Sequence, residues 1–131
     1  GMAKGATDMA LRYAMERKTF GKPIAEHQAI QLKLAEMSTR AAAAELLVRQ
    51  AANKFDQGER CDLEAGQAKF FASESAVQNS LDAMRVFGGY SYSPEYEIER
   101  FYRDAPLLCI GEGTNEIQRM IIAKQMVART Q

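Results

Sequence analysis

The sequence predicts an all-α protein, an antiparallel four-helix bundle with one additional short helix. Three observations lead there. Apolar residues recur at three- and four-residue steps over long stretches. Only three prolines, at positions 23, 94 and 106, interrupt the chain, and no alternating run calls for a strand set. The 131 residues, 47% hydrophobic and 26% charged, suit one domain with one core, and the expectation is a single domain over 1–131.

The first helix reads from 3 to 17, rich in Ala, Met and Leu. Gly5 costs ~1 kcal/mol against Ala in a helix interior, so it marks a helix end or a close packing contact. Residues 18–23 read as a loop. A long helix follows from about 26 to 57. Its apolar positions, Ile30, Leu34, Met37, Ala41, Ala44, Val48, Ala51 and Phe55, alternate steps of four and three, the seam of helices packed at a shallow angle. Gly58 is its expected stop.

The third helix starts at Asp62 as N-cap, with Glu64 in its first turn. Ala65, Ala68, Ala72, Ala76 and Ala83 lie on one side, and Phe70, Val77, Leu81 and Met84 on another. Two buried faces place it in the middle of a bundle or at a subunit contact. Gly88-Gly89 ends it. Ser93 as N-cap, Pro94 at N1 and Glu95 then open a short helix to about 104, with Pro106 in a loop that runs on to Gly111-Glu112-Gly113. The last helix reads from about 115 to 128, Asn115 and Gln118 forming a capping-box-like pair.

Composition removes several function classes. Seventeen basic residues balance seventeen acidic ones, which takes away the electrostatic case for nucleic acid or an anionic membrane. No apolar run approaches the ~20 residues of a membrane span, and residues 1–5 lack the apolar core of a signal peptide. Cys61 and Cys109 form no CxxC pair, so a reducing, intracellular setting is expected. With His27 as the single histidine, neither a His/Cys metal cage nor a supported Ser-His-Asp triad can be assembled, and no metal is expected.

Two loops stand out from this generic bundle. Gly111-Glu112-Gly113-Thr114-Asn115-Glu116 places an acid between glycines immediately before a helix start, where free N–H groups favour negative charge. A GxGxxG dinucleotide reading fails, because the sixth position is Glu116 and no strand–helix–strand unit follows. Spacing alone favours a structural turn with a solvated Glu. In Glu16-Arg17-Lys18-Thr19-Phe20-Gly21-Lys22-Pro23, cations around an aromatic and a glycine could grip a phosphate. Alone, this segment reads better as a solvated turn with Phe20 plugged into the core.

Taken together, ordered segments change that balance: Glu16-Arg17-Lys18-Thr19-Phe20-Gly21, Glu26-His27-Gln28-Ala29-Ile30-Gln31, Phe87-Gly88-Gly89, Arg103-Asp104-Ala105 and Glu112-Gly113-Thr114-Asn115-Glu116-Ile117-Gln118. In this order they resemble the C-terminal helical domain of the FAD-dependent acyl-CoA dehydrogenases, over nearly the whole chain. The resemblance implies a piece of a longer chain, without the N-terminal helical and middle β domains, and inactive alone. It implies FAD as cofactor and α,β-dehydrogenation of an acyl-CoA thioester. Glu112 would take the α-proton while hydride leaves the β-carbon for the flavin.

The same resemblance implies Gly113 and Arg103 as substrate contacts. It implies Arg17, Phe20, Gln28, Arg85, Val86, Phe87, Gly88, Gly89, Thr114, Asn115 and Glu116 as cofactor contacts. Arg17, Gln28 and the Gly88-Gly89 loop would reach the flavin nucleotide of a neighbouring subunit, so a homodimer or homotetramer is expected. Electron-transfer flavoprotein is the implied redox partner, in the cytoplasm or the mitochondrial matrix. Two positions depart from the family pattern. Arg85 stands where Gln is usual, and Gly111 replaces an aromatic common before the base in straight-chain enzymes. Gly111 therefore implies a roomier acyl pocket for branched, cyclic or aromatic groups. Two alternatives accompany this reading: a non-catalytic helical oligomerisation module, and an acyl-CoA oxidase-like flavoenzyme.

Overall fold

The computed structural model describes residues 1–130. Five α-helices form the protein: α1 Met2–Glu16, α2 Gln28–Asp56, α3 Asp62–Phe87, α4 Ile98–Ile110 and α5 Asn115–Thr130. The all-α bundle is as expected, and α3 is its middle helix, packed against each of the other four. The reason lies in its side chains. Small residues Gly66, Ala68, Ala76 and Ala83 are buried along it, which lets neighbouring backbones approach. On α1 the stripe Ala3, Ala6, Ala10 and Ala14 does the same at helical spacing. Gly5 is a packing contact, since a Cβ there would come within 2.9 Å of the Phe101 ring on α4.

The core joins these stripes to Met37, Val86, Phe87 and Ile98, with Phe87 stacked on Tyr13 at 4.1 Å. Buried polar groups on α3 are tied across helices. The Asn79 amide donates to Met37 O at 2.8 Å, Thr7 Oγ1 at 3.1 Å and Ala3 O at 3.2 Å, while its oxygen accepts from Arg40 Nε at 2.7 Å. Burial pushes the Asp82 carboxyl up, but hydrogen bonds from Gln78, Arg85 and Arg40 together hold it below its ordinary range. The seam of α2 holds only in part. Met37 and Ala44 are buried, whereas Val48 and Phe55 are exposed.

Several boundaries differ from the sequence reading. Residues 18–23 are a small hairpin, β1 Lys18–Thr19 antiparallel to β2 Lys22–Pro23, so strand pairing does occur. Phe20 (φ +53°) and Gly21 (φ +78°) both take left-handed conformations, the geometry of a tight two-residue hairpin turn. Phe20 is not in the core: at the hairpin tip it is 97% exposed. Cys61 rather than Asp62 is the N-cap of α3.

The fourth helix begins at Ile98 and not at Pro94, because Ser93 closes a local turn, its hydroxyl accepting from Glu95 N at 3.4 Å and its carbonyl from Tyr96 N at 3.1 Å. That helix then runs through Pro106 to Ile110, past the expected end at 104. Pro106 removes one ladder bond. Fully buried Ile98 and Ala105, and Phe101 against Gly5, hold the helix to the bundle in the turns that precede it.

Candidate functional site

Two clefts of the bundle gather expected site residues. The larger, about 950 Å³, lies between the start of α1, the middle of α2 and α3, and the end of α4. Its walls are Ala41, Ala44, Val48, Ala72, Ala76, Leu107 and Leu108, with Lys69 and Glu112 among the few ionisable groups. Small residues on helices carve this space, and it is apolar because alanine and leucine form it.

Glu112 sits at the cleft on the turn between α4 and α5. Gly111 caps α4, its N–H donating to Leu107 O at 2.8 Å, and its ψ of 155° turns the chain outward. Glu112 then takes φ +58° and Gly113 φ +83°. A left-handed glutamate costs on the order of 1–2 kcal/mol, strain of the kind that collects at functional sites. The Gln118 side-chain amide donates to Glu112 O at 3.3 Å and braces the turn. Thr114, not Asn115, caps α5: its Oγ1 accepts from Ile117 N at 3.4 Å. The capping-box pairing of Asn115 with Gln118 is therefore not formed.

Asn115 instead turns inward. It is 2% exposed, its oxygen accepting from Lys69 Nζ at 2.8 Å and Ser73 Oγ at 3.0 Å, its NH₂ donating to Glu74 Oε1 at 2.8 Å. Glu116 faces out. Its own backbone amide, then the Thr114 hydroxyl, holds its carboxyl below the ordinary range.

The second cleft, about 400 Å³, is where Arg17, Val86, Phe87, Gly88 and Gly89 come together with Tyr13, Thr19, His27 and Tyr90. Arg17 rests 5.5 Å from the centre of the Tyr90 ring, and among the described residues no carboxylate lies within 4.0 Å of it. Gly88, at φ +64°, and Gly89 face open space where a Cβ would project. Thr19 Oγ1 and His27 Nε2 are bonded at 2.9 Å. A free guanidinium beside a bare glycine shelf fits the pyrophosphate of a dinucleotide such as FAD. Burial pushes the Tyr13 hydroxyl up against the opposing charge of Arg17.

The other expected site residues are scattered. Gln28 is exposed at the first position of α2 and does not line this cleft. Arg85 turns back onto Asp82 Oδ1 at 2.9 Å. Arg103 is exposed on α4 beside Glu99 and lines neither cleft. The two clefts are also far apart. Ser73, under the Glu112 turn, and Gly88, the residue that caps α3, lie fifteen positions apart, about 22 Å at 1.5 Å per residue. Lys69, Ser73 and Glu74 escaped the sequence reading, because their partner Asn115 is more than forty residues away.

Residues 1–127 match a family model described as acyl-CoA dehydrogenase, C-terminal domain. A 3-(aryl)acrylate reductase of Clostridium sporogenes is 52% identical over 127 residues, which are 97% of this chain and 34% of that protein. A caffeyl-CoA reductase–Etf complex subunit of Acetobacterium woodii is 44% identical over 129 residues, 98% of this chain and 34% of that one. Among solved structures, butyryl-CoA dehydrogenase from Megasphaera elsdenii superposes with a TM-score of 0.94 at 40% identity, covering 96% of this chain and 33% of that one. The chain thus spans about a third of the length of these relatives.

Proposed function

The chain belongs to the acyl-CoA dehydrogenase family as its C-terminal domain, and from that premise we propose that it supplies the catalytic base, Glu112, of an FAD-dependent enzyme acting on acyl-CoA thioesters. One observation carries the assignment: a carboxylate held at φ +58° between two glycines, on the rim of an apolar cleft. An apolar chain in that cleft would bring its α-carbon to the turn. Glu112 would take the α-proton, and positioned in this way a carboxylate contributes roughly 10²–10⁴-fold. The chemistry that bound FAD would supply is an acceptor for the hydride that leaves the β-carbon.

By microscopic reversibility, protonated Glu112 would return a proton to the α-carbon of an enoyl thioester. Either direction uses the same residue, and the reductase names of two relatives favour keeping both.

Arg17, with Gly88 and Gly89, would hold the dinucleotide through its pyrophosphate, and Phe20 and Gln28 would flank it. The ~22 Å along the bundle from Ser73, under the Glu112 turn, to the Gly88 shelf and the exposure of Phe20 support a split site, this second cleft serving the cofactor of another copy of the chain. A homodimer or homotetramer is the assembly this requires. The rest of each site would come from the preceding two-thirds of a longer chain. The relative named as part of an Etf complex supports electron-transfer flavoprotein as redox partner. Gly111 lines the large cleft, and with the aryl names of two relatives it supports bulky, aromatic acyl groups as substrates.

Glu112→Gln in the full-length enzyme tests the assignment. FAD content and acyl-CoA binding should stay near the parent values, while flavin reduction under saturating acyl-CoA should fall by about 10³-fold. Near-parent reduction would move the base elsewhere.

A further inference from the structure

We infer that Lys69 is the positioning residue of the Glu112 turn, its ammonium closing the stem of that turn by bonding both the Cys109 carbonyl and the Asn115 side chain. The inference rests on Glu112 as base, and deepens that reading. The turn has little to hold it from within. Two consecutive left-handed residues, Glu112 and Gly113, stand between helix ends, and the bonds near them are Gly111 N to Leu107 O at 2.8 Å and Gln118 Nε2 to Glu112 O at 3.3 Å. A strained segment keeps its geometry only when its surroundings over-determine it.

Lys69 comes from α3, the one helix packed on all the others, and so acts from the most fixed part of the bundle. Its Nζ donates to Asn115 Oδ1 at 2.8 Å and to Cys109 O at 3.4 Å. Cys109 lies in the last turn of α4, where carbonyls lack helical partners, and Asn115 is the first residue of α5. A single ammonium therefore spans the two feet of the turn. Ser73, one helical turn further along α3, donates to the same Asn115 oxygen, and Glu74 accepts from the Asn115 NH₂.

Stability alone does not account for a lysine here. Among the described residues no carboxylate lies within 4.0 Å of Lys69 Nζ, so its charge is half-buried without an ion-pair partner. Such a cation costs desolvation that a methionine of similar length would not. The cation also lines the same cleft as Glu112. Its placement makes sense as a brace for a turn whose position decides a rate, since a misplacement of 1 Å can lower one by about 10²-fold.

The test uses the full-length holoenzyme with Lys69→Met, alone and in a Glu112→Gln background. Amide hydrogen exchange over residues 109–118 should speed up by about tenfold or more, with residues 18–28 unchanged. The limiting rate of flavin reduction should fall by roughly 10- to 100-fold, while the acyl-CoA dissociation constant shifts less than about threefold. In the Glu112→Gln background Lys69→Met should lower the rate no further, as expected of a residue acting through Glu112.

Parent-like exchange and rate in Lys69→Met would overturn the inference, as would an equal proportional loss in the Glu112→Gln background. Should Lys69→Met lose FAD or fail to fold, Lys69→Gln keeps a polar head but shortens the reach to Cys109 O and Asn115 Oδ1 and removes the charge. It should speed exchange over 109–118 and slow reduction by about three- to fivefold, and parent-like values of both would equally overturn the inference. A Glu112→Gln enzyme that reduces its flavin normally would refute the base assignment instead, and the exchange result would still report whether Lys69 holds the turn.

Discussion

Glu64 makes the sharpest stability prediction. Its side chain, in the first turn of α3, is 6% exposed, yet it receives Arg129 Nη1 and Nη2 at 2.8 and 2.9 Å and Lys54 Nζ at 2.8 Å. One carboxylate thus fastens the ends of α2, α3 and α5. Hydrogen bonds to charged groups are worth about 1.5–3 kcal/mol when shielded. Arg129 is 41% exposed and Lys54 31%, so solvent screening brings each bond nearer 1 kcal/mol, about 3 kcal/mol for Glu64→Gln in total. With an unfolding entropy of about 2.1 cal/mol/K per residue over 131 residues, this lowers the melting midpoint by about 10 °C.

The pH dependence has a definite sign. Bonds from Arg129, then from Lys54, hold the Glu64 carboxyl far below its ordinary value of 4.5. A depressed pKa means that the stabilisation is complete above the unfolded value and is lost as pH falls. The gap between parent and variant should be constant from about pH 6 to 8 and close progressively below about 4.5. Thermal melts followed by circular dichroism at pH 7 and at several values below 4.5 measure both effects. Midpoints within 2 °C of each other at pH 7 would refute the three-helix clamp.

Two glycines of the turn carry further predictions. Gly111→Phe should shift the kcat/KM ratio of the full-length enzyme at least about tenfold from aryl toward straight-chain acyl-CoA, because residue 111 lines the large cleft and its Cβ needs only a small adjustment from Leu107 O at 3.3 Å. Turnover of bulky substrates equal to the parent's would count against a pocket opened by that glycine. Gly113→Ala should cost about 1 kcal/mol at φ +83° and push aside the Gln118 amide, 3.1 Å from the new Cβ. Stopped-flow reduction should then slow by about tenfold while FAD content holds, and an unchanged rate would show that the turn tolerates displacement.

How much of this was legible beforehand depended on the range of the interactions. Alanine stripes on α1 and α3 announce close helix packing, since a side chain's face follows from its spacing alone. The Gly111-Glu112-Gly113 turn was legible because glycine permits left-handed backbone. Phe20 was misread in isolation: nothing local says whether an aromatic at a hairpin tip turns inward or out, and it is 97% exposed. Pro106 was misread for the opposite reason. Its local preference ends a helix, and burial of Ile98 and Ala105 in the turns before it anchors α4 well enough for the chain to stay helical to Ile110.

By itself, then, the sequence determined the helical class, the small-residue faces along which the helices approach, and the acid-bearing turn between α4 and α5. Those properties follow from backbone propensity and periodicity, which act over a few residues. The tertiary structure alone decided that Asn115 points inward to Lys69 and Ser73, that Arg17 meets Gly88 and Gly89 in one cleft, and that Ser73, under the Glu112 turn, and the Gly88 shelf stand about 22 Å apart along the bundle. Each of these joins residues forty or more positions apart or measures a length along a helix. They depend on which faces the bundle brings into register, and the spacing of residues along the chain does not specify that.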